Sequence, residues 1–154
     1  TKFNTEQGYQ AQQAHIAIAQ GELLGVGIGK STQRNFLPAP YNDFIFAIIA
    51  EEYGLLGSGL VILIFTVILF RGIAKIAKNA PDILGTLIAV GCTLTIVLYG
   101  FINAGVASGL LPVTGLPMPF VSYGGTNILF AGIMIGILMN ISKYESSKKA
   151  VFYV

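Results

Sequence analysis

The chain has 154 residues, of which 54% are hydrophobic and 10% charged, with a net charge of +2 and a mean hydropathy of +0.73. Soluble domains carry about a quarter charged residues, so the composition argues against a soluble fold. The Lys and Arg residues are also too scattered for the clustered basic footprint of a nucleic-acid binder. From Ile83 to Ser142 there is no Asp, Glu, Lys, Arg or His, and no water-facing surface could be built from such a run.

Residues 1–43 come first and read as a segment outside the membrane. Tyr9–Gln20 is rich in Ala, Ile and Gln and free of Gly and Pro, which predicts a short helix ended by Gly21. Its single histidine, His15, has no second His or Cys beside it in sequence and reads as a surface or packing residue. Gly25-Val-Gly27-Ile-Gly29-Lys30-Ser31 follows. A phosphate-binding loop needs four residues between its glycines, and here three separate Gly25 from Gly29. What remains is a solvated turn or, as the rival, a backbone able to approach an anionic or sugar-bearing ligand beside Lys30 and Arg34. Pro38 and Pro40 then forbid a regular helix.

Crossing a hydrocarbon core of about 30 Å takes roughly 20 apolar residues, and three stretches qualify. The first is 44–70, interrupted only by Glu51 and Glu52; the second is 83–107; the third is 124–142. Asp43 stands immediately before the first. It reads as an N-cap of that helix or, alternatively, as a general base at the membrane surface. Glu51 and Glu52 are costly at membrane depth unless they face protein, water or a cation. Cys92 lies inside the second span; as the only cysteine it excludes an internal disulfide and reads as a packing residue.

Arg71, Lys75 and Lys78 follow the first span, and Lys143, Lys148 and Lys149 follow the third. The excess of positive charge places loop 71–82 and tail 143–154 in the cytoplasm. Residues 1–43 and the turn 108–123 then face outward. That turn holds Pro112, Pro117 and Pro119 among several glycines, an irregular backbone tolerated at a membrane where protein or a wet cavity satisfies it. Ser122-Tyr123-Gly124-Gly125-Thr126-Asn127 opens the last helix, either as a tight turn with a cap or as a polar cluster lining a cavity. Opening at Thr1, with neither an initiator Met nor a signal-peptide pattern, the chain reads as the C-terminal part of something longer.

Two ordered motifs carry a family resemblance. Gly25-Val-Gly-Ile-Gly-Lys-Ser31 with Gln33, Leu37-Pro38, Asn42-Asp43-Phe44-Ile45-Phe46-Ala47, Glu51-Glu52 and Gly54 form the first. Leu111-Pro-Val-Thr-Gly115-Leu-Pro117-Met-Pro119-Phe-Val-Ser-Tyr-Gly-Gly125 forms the second. Together they resemble the SEDS family (shape, elongation, division and sporulation) of bacterial cell-wall polymerases, over almost the whole chain. Gln13, Arg34-Asn-Phe-Leu-Pro38 and Pro40-Tyr41-Asn42-Asp43 resemble its division branch more than its elongation branch. Thr114, Asn35, Ala39 and Tyr41 depart from residues common in that branch.

The resemblance implies an all-α integral membrane fold: three transmembrane helices from the C-terminal part of a ten-helix protein, plus a large extracellular loop with short helices. It implies a bacterial inner-membrane peptidoglycan glycosyltransferase that polymerises lipid II and releases polyprenyl pyrophosphate. It further implies a class B penicillin-binding protein as transpeptidase partner, together with division proteins, and no nucleic acid. Asp43 matches the family's essential loop aspartate and is the catalytic candidate. Lys30, Ser31, Gln33, Arg34, Ser122, Tyr123, Gly124 and Gly125 are the substrate-binding candidates. Glu51 and Glu52 are structural, or associated with a divalent cation such as magnesium or manganese. A transporter flipping a lipid-linked sugar, a scaffold for division proteins and an elongation-type polymerase are the rival readings.

Overall fold

The computed structural model describes the backbone of residues 6–31, 44–80 and 82–151, with side chains at 9, 12–31, 44–80 and 82–143. Those residues hold four α-helices and no strand: α1 (Glu6–Gly21), α2 (Ile45–Phe70), α3 (Ile83–Ala107) and α4 (Gly125–Val151). Ile45–Ala77, Ile83–Ala107 and Gly125–Lys143 are each long and apolar enough to cross a membrane. Leu56 and Leu63 of α2, Leu84 and Leu87 of α3, and Phe130 and Met139 of α4 remain exposed. Surfaces of this kind fit a lipid environment or contact with further apolar helices.

α3 is the hub, packing against α1, α2 and α4. Ile96, Val97 and Ala104 of α3 are buried with Phe65 of α2, Leu138 of α4 and Met118 of the intervening loop. α1 lies across the start of α2 and reaches the end of α3, where the His15 imidazole occupies the space a side chain on Gly109 would need. The short helix expected at Tyr9–Gln20 is therefore present and longer. Gly21 is its last helical residue, and Glu22 takes the left-handed turn (φ 44°). Gly21 serves a different end, since the Ala50 carbonyl of α2 sits where its Cβ would be.

The first span departs from the expected continuous helix in two places. Gly54 has φ 66° and ψ −159°, a conformation essentially confined to glycine, and it breaks α2 into two pieces across a kink. At the other end the backbone does not stop at Phe70 but continues as a π-helix, Arg71–Ala77. Charge marks where the apolar run ends, whereas a helix ends where backbone hydrogen bonding fails, and Arg71 and Lys75 do nothing to interrupt it. Likewise α4 runs beyond 142 to Val151.

Candidate active site

The first site element is the loop after α1, threaded into the break of α2. Breaking a helix orphans carbonyls on one side and amides on the other, and here both sets are answered by a single short segment. Val26 N–H donates to the Glu51 carbonyl at 2.9 Å and Gly27 N–H to the Glu52 carbonyl at 3.2 Å. On the far side Leu55 N–H donates to the Glu22 carbonyl at 3.0 Å and Leu56 N–H to the Leu23 carbonyl at 3.4 Å. A Cβ on Gly54 would lie 2.5 Å from the Gly25 nitrogen. At Gly25 the loop thus approaches its own chain closely, whereas a Cβ on Gly29 would meet no atom within 4 Å.

The Glu51 side chain is fully buried, and its carboxylate accepts a hydrogen bond from the Ser31 hydroxyl. Ser31, a substrate-binding candidate, is 8% exposed and engaged there. Glu52 is only half-buried, and Lys30 is exposed at the loop's edge. Gln33, Arg34 and Asp43 lie outside the described residues. Their segment, 32–43, is bracketed by Ser31 on one side and by Phe44, whose ring is 2% exposed, on the other. The N-cap position of α2 falls on Phe44, which makes no side-chain capping bond. Among the described residues no three His, Cys, Asp or Glu side chains converge as metal ligands.

The second element is the loop between α3 and α4. Ser122 is buried and its Oγ accepts from Met118 N–H at 2.7 Å. Asn127 Nδ2 donates to the Met118 carbonyl at 3.1 Å, and Asn103 Nδ2 of α3 donates to the Leu116 carbonyl at 2.8 Å. Side chains thereby add to the few bonds this proline-rich backbone makes to itself, from Val121 and Ser122 N–H to the Met118 carbonyl. Tyr123 is 83% exposed, and Gly124 and Gly125 lead into α4. A cavity of about 340 Å³ opens beside this loop, lined by Thr95 and Tyr99 of α3, Pro117 and Pro119 of the loop, and Thr126, Asn127 and Phe130 of α4. Of the polar cluster expected there, Thr126 and Asn127 line the cavity, while Ser122 braces the turn. Sequence reading missed Asn103, Thr95 and Tyr99. An amide alone in an apolar span was the available signal for Asn103, and Thr95 and Tyr99 stand one helical turn apart on a single face.

Known proteins resemble the chain over nearly its whole length, both of these loops included. The model of the FtsW/RodA/SpoVE family, described as cell cycle protein, matches residues 2–147. The chain belongs to this family. It is 46% identical over 139 residues to stage V sporulation protein E of Bacillus subtilis, covering 90% of this chain and 38% of that protein. It is 45% identical over 139 residues to the probable peptidoglycan glycosyltransferase FtsW of Hahella chejuensis, covering 88% of this chain and 35% of the relative. A solved structure described as "Structural coordination of polymerization and crosslinking by a peptidoglycan synthase complex" contains a chain that superposes with a TM-score of 0.70 at 25% identity, over 87% of this chain and 37% of that one. The chain thus spans less than two-fifths of the length of these relatives. Family membership and three apolar helices make it part of a multi-pass membrane protein of all-α SEDS architecture.

Proposed function

We propose that the protein is the C-terminal part of a peptidoglycan glycosyltransferase of the inner membrane, polymerising lipid II with Asp43 as general base. The observation that carries this reading is the match along nearly the whole chain to relatives named as probable peptidoglycan glycosyltransferases. The two described residues that flank Asp43's segment in sequence, Ser31 and Phe44, both belong to the buried framework: Ser31 on Glu51, and Phe44 in the core.

In the proposed reaction a hydroxyl of the acceptor sugar attacks the anomeric carbon of the donor, forming the new C–O bond. Asp43 takes the hydroxyl proton, and the bond from the anomeric carbon to phosphate breaks to release polyprenyl pyrophosphate. Lys30, Arg34 or a divalent cation would offset the negative charge of the leaving group. We propose further that 1–43 and 108–123 face outward and that the Arg71 end is cytoplasmic. A division role with a class B penicillin-binding protein as partner follows the FtsW-named relatives; the matched solved structure is described as a peptidoglycan synthase complex.

Asp43→Asn in the full-length protein tests the enzyme reading. Glycan synthesis from purified lipid II is expected to fall at least about a hundredfold, the lower range for loss of a positioned general base. Unchanged polymerisation would overturn the assignment. The broken helix α2 is the observation that favours transport as a second reading. Labelled lipid II crossing a vesicle bilayer, with no polymer made by the unsubstituted protein, would establish it instead.

A further inference from the structure

Far from the glycine loop, at the end of the bundle bearing Arg71, Lys75, Lys78 and Lys143, a second cavity of about 530 Å³ lies between the α2/π-helix junction and the later part of α4. It has two chemically distinct parts. Arg71, Ser142 and Lys143 form the polar part, with Gly72 and Ile76 beside them, while Val67, Ile135 and Leu138 continue the walls toward the middle of the helices. Four residues of helix separate Val67 from Arg71 and eight separate Ile135 from Lys143, so the apolar walls extend about 6 to 12 Å from the cationic end. None of the lining residues is acidic. Val67 and Met139, both on the wall, are 47% and 68% exposed, so no other described residue of this chain closes the groove along that side.

A cationic end continuous with an apolar, laterally open trough fits an amphiphile with a negative head. The guanidinium of Arg71 can fork onto two phosphate oxygens, and the Lys143 ammonium adds a point charge. A free phosphate would make no use of the apolar wall, and a zwitterionic or neutral lipid would leave two cations uncompensated. We propose that the groove between the Arg71–Ala77 π-helix and α4 binds an anionic phospholipid, its headgroup phosphate on Arg71 and Lys143 and an acyl chain along Val67, Ile135 and Leu138. The π-helix contributes by carrying the chain past the end of the apolar run without a turn, which keeps Arg71 and Gly72 alongside α4.

The test uses the full-length protein in nanodiscs of phosphatidylcholine mixed with phosphatidylglycerol, followed by mild detergent extraction and native mass spectrometry. The expected result is retention of phosphatidylglycerol in preference to phosphatidylcholine. Retention should weaken about tenfold or more in the double variant Arg71→Gln, Lys143→Gln, each basic group near an anionic lipid being worth roughly fivefold. Lys78→Gln, outside the groove, is expected to retain lipid as the unsubstituted protein does. Ile135→Trp, which fills the apolar wall and leaves both cations in place, should also lose the lipid. Melting curves confirm that the variants are folded. Four results would each overturn the proposal: no retained lipid, equal retention of both lipids, equal weakening by Lys78→Gln, or full displacement of the lipid by inorganic phosphate.

Discussion

The two irregular segments of this membrane protein solve one problem by opposite means. Both the break in α2 and the loop between α3 and α4 leave backbone polar groups without intrahelical partners, and such groups are expensive away from water. At Gly54 the partners are backbone atoms of the distant loop Glu22–Gly27, and the side chains matter mainly by being absent. At Leu116 and Met118 side chains of Asn103, Ser122 and Asn127 serve as partners, beside the backbone N–H groups of Val121 and Ser122 that donate to the Met118 carbonyl. The first device depends on shape and the second on chemistry, so they should fail under different substitutions.

Gly54→Ala is the largest expected disturbance of folding. The residue combines a glycine-only conformation with a close approach, and about 3 kcal/mol or more of destabilisation follows from the strain together with overpacking. Thermal unfolding of the purified protein measures it; a loss below about 1 kcal/mol would mean that the loop does not depend on the close approach. Asn103→Leu comes next, leaving the Leu116 carbonyl without its amide donor in a buried setting, at a cost of about 1–3 kcal/mol. A melting temperature no lower than that of the unsubstituted protein would show that the amide is dispensable. Ser122→Ala removes one acceptor for Met118 N–H and should cost about 1 kcal/mol, with faster hydrogen exchange confined to the loop before α4. Exchange quickening equally at Leu55 and Leu56 would mean that the two devices are coupled. The smallest effect is expected for Tyr123→Ala, within about 0.5 kcal/mol in stability because the ring is exposed. A marked loss of polymerisation with stability unchanged would place that ring on the substrate.

Ser31 and Glu51 sit between the two extremes, as a side-chain contact that fastens the glycine loop to α2. Ser31→Ala leaves a buried carboxylate with one hydrogen bond fewer, whereas Glu51→Leu removes the buried acid and takes from the Ser31 hydroxyl only that acceptor. Ser31→Ala should therefore destabilise more than Glu51→Leu, and the order of their melting temperatures reads this directly. The reverse order would indicate that Glu51 is held chiefly by partners other than Ser31.

Much of the architecture was legible from residue type alone. Three apolar runs of sufficient length, each summing a local preference over many residues, mark three membrane helices without reference to anything distant in the chain. The Ala- and Gln-rich stretch before Gly21 marks α1 for the same reason. Asp43 was singled out by resemblance and not by physics, since a carboxylate before a helix has an ordinary explanation in capping. The bond between Ser31 and Glu51 was hidden, because nothing local distinguishes a serine that binds substrate from one that satisfies a buried acid. The groove beside Arg71 was hidden too, since basic residues after a span read as a mark of membrane sidedness and their facing α4 is a matter of packing.

The sequence by itself determined where lipid-compatible helices begin, and where prolines and glycines keep the chain from being regular, because hydrophobic length and backbone restriction are properties of neighbouring residues. Only the tertiary structure decided which glycine breaks a helix and which one merely makes room. A broken helix is stable only when some other segment supplies the missing hydrogen bonds, and the strand of chain that does so, Glu22–Gly27, lies more than a score of residues away from Gly54.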